Sequence, residues 1–457
     1  MKQGKIKEAR EIAFKERFSF GCAVAANGIG SVMLGSYISY YYTDVAGFTA
    51  ALAAMIVSIC TIFDGFSDIL MGVIIDRTHT RFGKTRPWIL IGGIVDGILL
   101  ALSFSVPSLA SGTMKVVYAF ATYFLLKVVA GTMLGVSGGT LITLITRDEK
   151  ERNSLGVYNV IFNVVFALGA SALTMPLVRA MGDNAGSWRI LTLIYGAVII
   201  VLSLIGFKGT KERVTDEAKA SEKKVPLPIL LKAALTNRYF WLMLIAMVMY
   251  NFFGATGSIN TYYYTRVLNN VTALSISSLG SLIFLLFMPV YLIICNKMGV
   301  RRAMIASCLL TAIIAGIRIL APYSVPVYMG LGWLSTIALG PFSACYMSLT
   351  AEIADWGEWK TGIATQAIVC SLISVAAKIA GGLGNGVIGF ILDRAGYDGM
   401  AEVQPQSAIT ALIILGTVAG ALGYLIMAGC FHFIKVDKDQ EQMHKDLEAR
   451  KAAEADI

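Results

Sequence analysis

The chain has 457 residues, 56% of them hydrophobic and 15% charged, with seven cysteines and a formal net charge of +9; its mean hydropathy is +0.69. A soluble domain carries about 25% charged residues, so these figures exclude a soluble globular protein and point to an all-α membrane protein with many spans. The positive charge lies in connections between apolar stretches, which is the pattern of cytoplasmic loops rather than of a nucleic-acid-binding face.

The first 17 residues carry six Lys/Arg against three Glu, so no cleavable signal peptide is expected. Twelve apolar segments follow, at approximately 18–43, 48–75, 87–107, 115–146, 153–181, 187–207, 239–265, 274–296, 302–321, 326–352, 362–392 and 406–434. Several exceed the ~20 residues that span a bilayer, so tilt or extension beyond it is expected. Cysteines 22, 60, 308, 345, 370 and 430 lie inside these segments without metal-ligand or disulfide spacing and read as packing residues.

Segment one contains Asn27 and ends in Tyr40-Tyr41-Tyr42-Thr43. Segment two carries Asp64 and Asp68, which i,i+4 spacing puts on one helix face. An ionised Asp near the bilayer centre costs roughly 2.5–3.5 kcal/mol, so the pair is expected to share a proton or bind a cation. The alternative is a pair of structural salt bridges. The connection after segment two holds Arg77, Arg81, Lys84 and Arg86 with Asp76 as its one acid, and is a candidate gate. His79 reads as a loop residue.

Asp96 in segment three and Lys127 in segment four fall at membrane depth. Either they neutralise each other, or Lys127 reaches the aspartate pair and takes a cation's place. Asn159 and Asn163 share a face of segment five. With Asn27, Asn251, Asn260, Gln366 and Asn385 they are buried amides suited to sugar hydroxyls, or interhelical hydrogen bonds.

The 208–238 linker has eight Lys/Arg against four acids and includes a short helix near 225–232, expected to lie on the membrane. Segment seven repeats segment one, with Asn251 and a closing Tyr262-Tyr263-Tyr264-Thr265. Both tyrosine rows read as interfacial belts. Lys297, Arg301 and Arg302 follow segment eight as the basic loop does segment two. These loops all fall on the side of the termini, which is therefore expected to be cytoplasmic. Asp355-Trp-Gly-Glu358-Trp359-Lys360 and Arg147 to Arg152 occupy corresponding inner loops and are further gate candidates. Lys378 lies near the centre of segment eleven and needs an acidic partner, for which Asp64 or Asp68 qualifies. Asp393-Arg394 falls on the outer side, and the charged tail 435–457 is assigned no chemistry.

The expected organisation is an N-terminal six-helix half at 1–207, a linker at 208–238, a C-terminal half at 239–434 and a tail at 435–457. Two similar halves around a central loop suit alternating access, with the site between them. With three histidines, no phosphate-binding glycine loop and no nucleophile–base pair, an enzyme is not expected and no catalytic residue or metal site is assigned.

Tyr41-Tyr42-Thr43-Asp44-Val45, Asp64-x-x-x-Asp68, the stretch from Arg77 to Trp88, Asp355-Trp-Gly-Glu358-Trp-Lys360 and Lys378 occur in this order. Together they resemble the glycoside–pentoside–hexuronide:cation symporter family (melibiose permease-like), within the major facilitator superfamily. The resemblance implies that superfamily's fold and a sugar or glycoside symporter coupled to H+ or Na+. It implies cation-site roles for Asp64, Asp68 and Thr132, and a place for Lys378 at the sugar–cation interface. The chain departs from the family at Gly135, Gly28, Val160 and Ser343, where a cation-site acid, a sugar-binding acid, an arginine and an aromatic platform are expected. The expected substrate-binding set is Asn27, Asp64, Asp68, Asn159, Asn163, Ser374 and Lys378. The protein is expected to be a monomer in a bacterial cytoplasmic membrane, binding a small-molecule sugar and no nucleic acid. It needs no cofactor beyond the transient coupling ion. An uncoupled facilitator, in which a built-in lysine replaces that ion, is the alternative.

Overall fold

A computed structural model describes residues 12–107, 112–146, 148–213, 226–401, 403–438, 442–443 and 445–447. Arg147 and residues 214–225 of the linker therefore lie outside the described residues. Twelve helices among those described are long and apolar enough to cross a membrane. They are α1 Phe14–Val45, α2 Ala50–Arg77, α3 Arg86–Ser103, α4 Gly112–Ile145, α5 Glu149–Ala180, α6 Ala185–Gly209, α7 Arg238–Val267, α8 Val271–Met298, α9 Val300–Leu320, α10 Val325–Thr361, α11 Gln366–Arg394 and α12 Gln406–Phe433. The fold is all-α, with the twelve spans expected from the hydropathy pattern.

One boundary differs in a way that matters. Helix α10 continues to Thr361 and stops only where Gly362 turns left-handed at φ +72. Asp355, Glu358 and Lys360, expected in a loop, thus ride on the last turns of a helix. The linker helix is present at Leu227–Thr236. Beyond it the Asn237 side chain starts α7, accepting from the Tyr239 and Phe240 backbone N–H groups and donating to the Ile353 carbonyl at 2.7 Å.

By contact the chain divides into two units, Met1–Gly47 with Phe66–Glu222, and Phe48–Gly65 with Lys223–Ile457. Residues 48–65 group with the second unit because small residues let α2 and α11 touch backbone to backbone. A Cβ at Gly382 would lie 2.9 Å from the Ser58 carbonyl oxygen, and one at Gly386 2.9 Å from Ser58 Oγ.

In the first unit, α1 packs against α5 and α6, and α3 against α6. Trp188 is fully buried, stacked on Phe104 with centroids 5.6 Å apart. In the second unit, α7 packs on α11 and α12, and α9 on α12, around Met243, Met304, Cys308, Phe342 and Phe431.

The tyrosine rows do not form interfacial belts. Tyr41, Tyr42, Tyr263 and Tyr264 are buried inside their own units, and the hydroxyls of Tyr41, Tyr42 and Tyr263 are used there. Tyr41 accepts from the Val106 N–H at 3.1 Å, Tyr42 donates to the Ala119 carbonyl at 3.2 Å, and Tyr263 donates to the Pro322 carbonyl at 2.8 Å. Tyr41 and Tyr263 thus each tie the first helix of a half to the end of its third. Both rows run into a widened π-helical turn, at Tyr41–Val45 and Tyr263–Val267. The weak sequence repeat is a repeat of backbone shape.

Candidate functional site

In the second unit, Lys378 on α11 meets Asp64 on α2. Its Nζ lies 2.9 Å from Asp64 Oδ2 and donates to the Asp64 carbonyl oxygen at 3.4 Å. The Asp64 side chain is 7% exposed and that of Lys378 28% exposed, so the lysine is the member open to exchange. A carboxylate this enclosed needs a cation beside it.

The Lys378 stem borders a cavity of about 430 Å³ between α7, α10 and α11. Its polar lining includes Asn251, Thr350, Ser374 and Lys378, and its aromatic lining includes Tyr250 and Tyr346. The volume lies in the range of small-molecule sites, and amide, hydroxyl and aromatic groups are what a pyranose requires. Ser343, where the family's aromatic platform is absent, lines this cavity too. Tyr346, one helical turn further along α10, supplies a ring instead. Sequence reasoning missed Tyr250 and Tyr346. The signal lay in the 3.6-residue repeat, which puts position 346 on the face of position 343.

In the first unit, Thr132 on α4 is 4% exposed, and its hydroxyl lies 2.8 Å from the Ser67 hydroxyl, one residue before Asp68. This bond fixes α2 against α4 at the expected cation residues. Asn27 faces Gly135, since a Cβ at Gly135 would lie 4.0 Å from Asn27 Nδ2. An amide therefore stands beside the position where the resemblance implies a further acid. Asn163 packs on Gly28, where a Cβ would meet Asn163 Oδ1 at 2.9 Å and its carbonyl oxygen at 3.0 Å. Asn159 is half-buried on the same helix, and Val160 between them is 44% exposed.

Asp96 on α3 is 3% exposed and lies against Gly30 of α1. Lys127, in a π-helical turn of α4, is the charge that acts on it. The Asp96 Oδ2 atom has no hydrogen-bond partner, so Lys127 acts through space rather than by contact with that oxygen.

The 76–86 connection is built around an acid that the sequence did not single out. Glu212, from the linker, accepts from the backbone N–H groups of Lys84, Thr85 and Arg86 and from the Thr85 hydroxyl, at 2.6–3.0 Å. It caps the N-terminus of α3. Gly83 has φ +109, and its missing Cβ leaves room for the Glu212 carboxylate. The Arg86 guanidinium donates to the Phe207 carbonyl and lies over the Phe207 ring, and Arg81 lies over Phe82. Asp76 and Arg77 close α2.

Nearby, Glu16 takes both arms of Arg213 at 2.7 and 2.8 Å and the Lys211 N–H at 3.0 Å. This bond raises the Arg213 guanidinium above its ordinary range. Arg17 pairs with Glu151 at 2.9 Å. In the second unit, Lys360 lies over the Trp359 ring, and Trp359 donates to Asp446 at 2.8 Å. Met443 and Leu447 of the tail are buried, so the tail docks an apolar face there.

The description "MFS/sugar transport protein" belongs to a family model that matches residues 19–438. The isoprimeverose transporter of Lactiplantibacillus pentosus is 29% identical over 454 residues, 97% of this chain and 93% of that one. A putative glycoside/cation symporter of Escherichia coli (strain K12), YagG, is 25% identical, covering 98% of this chain and 97% of its own. Among solved structures, the nucleoside transporter NupG superposes with a TM-score of 0.64 at 14% identity, over 92% of this chain and 98% of that one, which speaks to the fold alone. The resemblance read from the motifs holds over nearly the whole chain. This multi-pass membrane protein is a transporter and not an enzyme, and it belongs to the MFS/sugar transport protein family of the major facilitator superfamily.

Proposed function

We propose that the protein is a sugar or glycoside symporter coupled to H+ or Na+ and working by alternating access. The observation that carries this reading is the Lys378 ammonium 2.9 Å from Asp64, on the wall of a cavity with sugar-binding chemistry. Lys378 and the coupling ion compete for the same carboxylate. When the ion is held by Asp64, Asp68 and Thr132, Lys378 is released to donate to a sugar hydroxyl. Asn251 and Ser374 offer further partners in that cavity, and Asn27, Asn159 and Asn163 are proposed as the substrate-binding amides of the first half. The names of the isoprimeverose and glycoside relatives support the substrate class.

The same pair also favours a second reading, an uncoupled facilitator in which Lys378 or Lys127 stands permanently for the ion. Uptake into vesicles with imposed proton or sodium gradients separates the two. Accumulation above the outside concentration supports coupling; equilibration in every gradient would replace it with facilitation.

Further parts of the proposal concern placement. The basic connections at 76–86 and 296–302 support cytoplasmic termini, and the relatives support a bacterial cytoplasmic membrane. We keep the halves at 1–207 and 239–434 around the 208–238 linker, and a monomer. A cytoplasmic gate is proposed from Asp76, Arg77, Arg81, Lys84, Arg86, Arg147, Asp355, Glu358 and Lys360.

A further inference from the structure

The second unit contains another cavity, of about 370 Å³, enclosed by α7, α9, α10 and α12. Tyr250 lines both cavities, and its ring meets that of Phe342 with centroids 4.9 Å apart, so the two share one wall. The charge in the second cavity is unusual. Among the described residues, Arg318, at the end of α9, is its one charged lining residue, and no carboxylate lines it. The guanidinium lies over the Tyr328 ring at 4.8 Å, and its Nε is buried with no hydrogen-bond partner. Gly332 makes room for it, since a Cβ there would lie 2.7 Å from Arg318 Nη2. The Ser335 hydroxyl on the same wall is also buried without a partner. Trp333 and Tyr424 present rings, and Asn260, whose Oδ1 accepts from the Tyr328 hydroxyl at 3.0 Å, keeps its NH₂ group for a ligand.

A guanidinium whose Nε is buried without a partner, in a cavity with no acid among its described lining residues, calls for an anion, and its planar fork fits a carboxylate with two parallel hydrogen bonds. One arginine balances a single negative charge, whereas a phosphate group carries about −1.5 to −2. Aromatic faces beside free hydroxyl and amide donors suit a hydroxylated ring. We infer that this cavity is a second binding site, distinct from the Lys378 cavity, for a singly charged sugar acid, with Arg318 holding the carboxylate and Ser335 and Asn260 the hydroxyls.

The test is equilibrium binding of D-glucuronate to the full-length purified protein by calorimetry, with D-glucose as the neutral control and no ion gradient, so that failure of the coupling proposal leaves the result readable. The wild type should bind glucuronate more tightly than glucose. Arg318→Gln should weaken glucuronate binding roughly tenfold or more, since it removes a charge-assisted hydrogen-bonding pair. In a Lys378→Ala background, which impairs the first cavity, Arg318→Gln should still weaken glucuronate binding by a similar factor, as expected of a site that does not use Lys378. Arg318→Lys, which keeps the charge and loses the fork, should lie between Arg318→Gln and the wild type, and it serves if the glutamine variant fails to fold. A wild type that does not prefer glucuronate, an Arg318→Gln that binds it unchanged, or an Arg318→Gln without effect in the Lys378→Ala background would each overturn the second site. Displacement of glucuronate by inorganic phosphate at lower concentration than by acetate would overturn the carboxylate assignment.

Discussion

Lys378 grips Asp64 twice, through the carboxylate at 2.9 Å and through the backbone carbonyl oxygen at 3.4 Å. The second contact does not depend on the charge of Asp64, so the lysine keeps a foothold on α2 when the carboxylate is neutralised. Asp64→Asn should therefore fold and still lose gradient-driven accumulation, by roughly tenfold or more. In thermal unfolding, Asp64→Asn, Lys378→Ala and the double variant should give a coupling energy of about 1–3 kcal/mol, as for residues in one ion pair. Full accumulation by Asp64→Asn and by Asp68→Asn would remove both from the coupling site.

Lys127 is the charge acting on Asp96, yet Asp96 Oδ2 is left without a partner. If the lysine stands in for a cation, Lys127→Ala should change which gradient drives uptake, and we expect that outcome. Parallel uptake in sodium and proton gradients checks it; an unchanged ratio returns Lys127 to a role confined to Asp96.

The Glu212 cap should be a stability element rather than a transport residue. Glu212→Ala leaves the N-terminal amides of α3 without their acceptor and should cost about 1–2 kcal/mol. Gly83→Ala should cost as much or more, because it forces a side chain into φ +109 and into the space of the same carboxylate. Thermal melts of the two variants and their combination should be far from additive, since both act on one contact.

The Arg213–Glu16 bond sets a pH expectation. The folded-state pKa of Arg213 is raised above its ordinary value by the Glu16 hydrogen bond, so its stabilisation is fully present below the ordinary arginine pKa and is lost only as pH rises through the higher folded value. The arginine is half exposed, so the effect is discounted to about 1 kcal/mol or less. The difference in melting temperature between wild type and Arg213→Ala should thus stay constant between about pH 6 and pH 9. A slope across that window would locate the effect in another titrating group.

Tyr346 presents its ring to the Lys378 cavity one helical turn from Ser343. Tyr346→Ala should raise the KM for sugar uptake by roughly tenfold, the loss of one ring face, with little change in the maximal rate. A fall in rate at constant KM would make Tyr346 a part of the moving machinery instead.

The spans and their buried charges were legible because the bilayer imposes length and penalises ions, and both leave marks on the chain. Lys378 could be matched to the aspartate pair for that reason. What escaped depended on partners distant in sequence. Glu212 stands in a charged linker and reads as a solvated acid until the fold brings four donors to it. The tyrosine rows have the composition of an interfacial belt, and burial by neighbouring helices gave them another use. Arg318 lies two residues from the end of a span, where a cation is expected to reach water; only the helices around it show that, among the described residues, no acid lines its cavity.

The contact between Asn163 and Gly28 bears on how this transporter could change its substrate over generations. An acid at position 28 has no room while Asn163 occupies its place, and the Asn163 carbonyl oxygen crowds it as well. A lineage that first acquired Gly28→Asp would carry a misfitted helix pair. One that first shortened Asn163 and loosened the spacing of α1 and α5 would make room for the acid that the resemblance implies at position 28. The order of substitutions, more than their number, fixes whether an acid at position 28 lies within evolutionary reach.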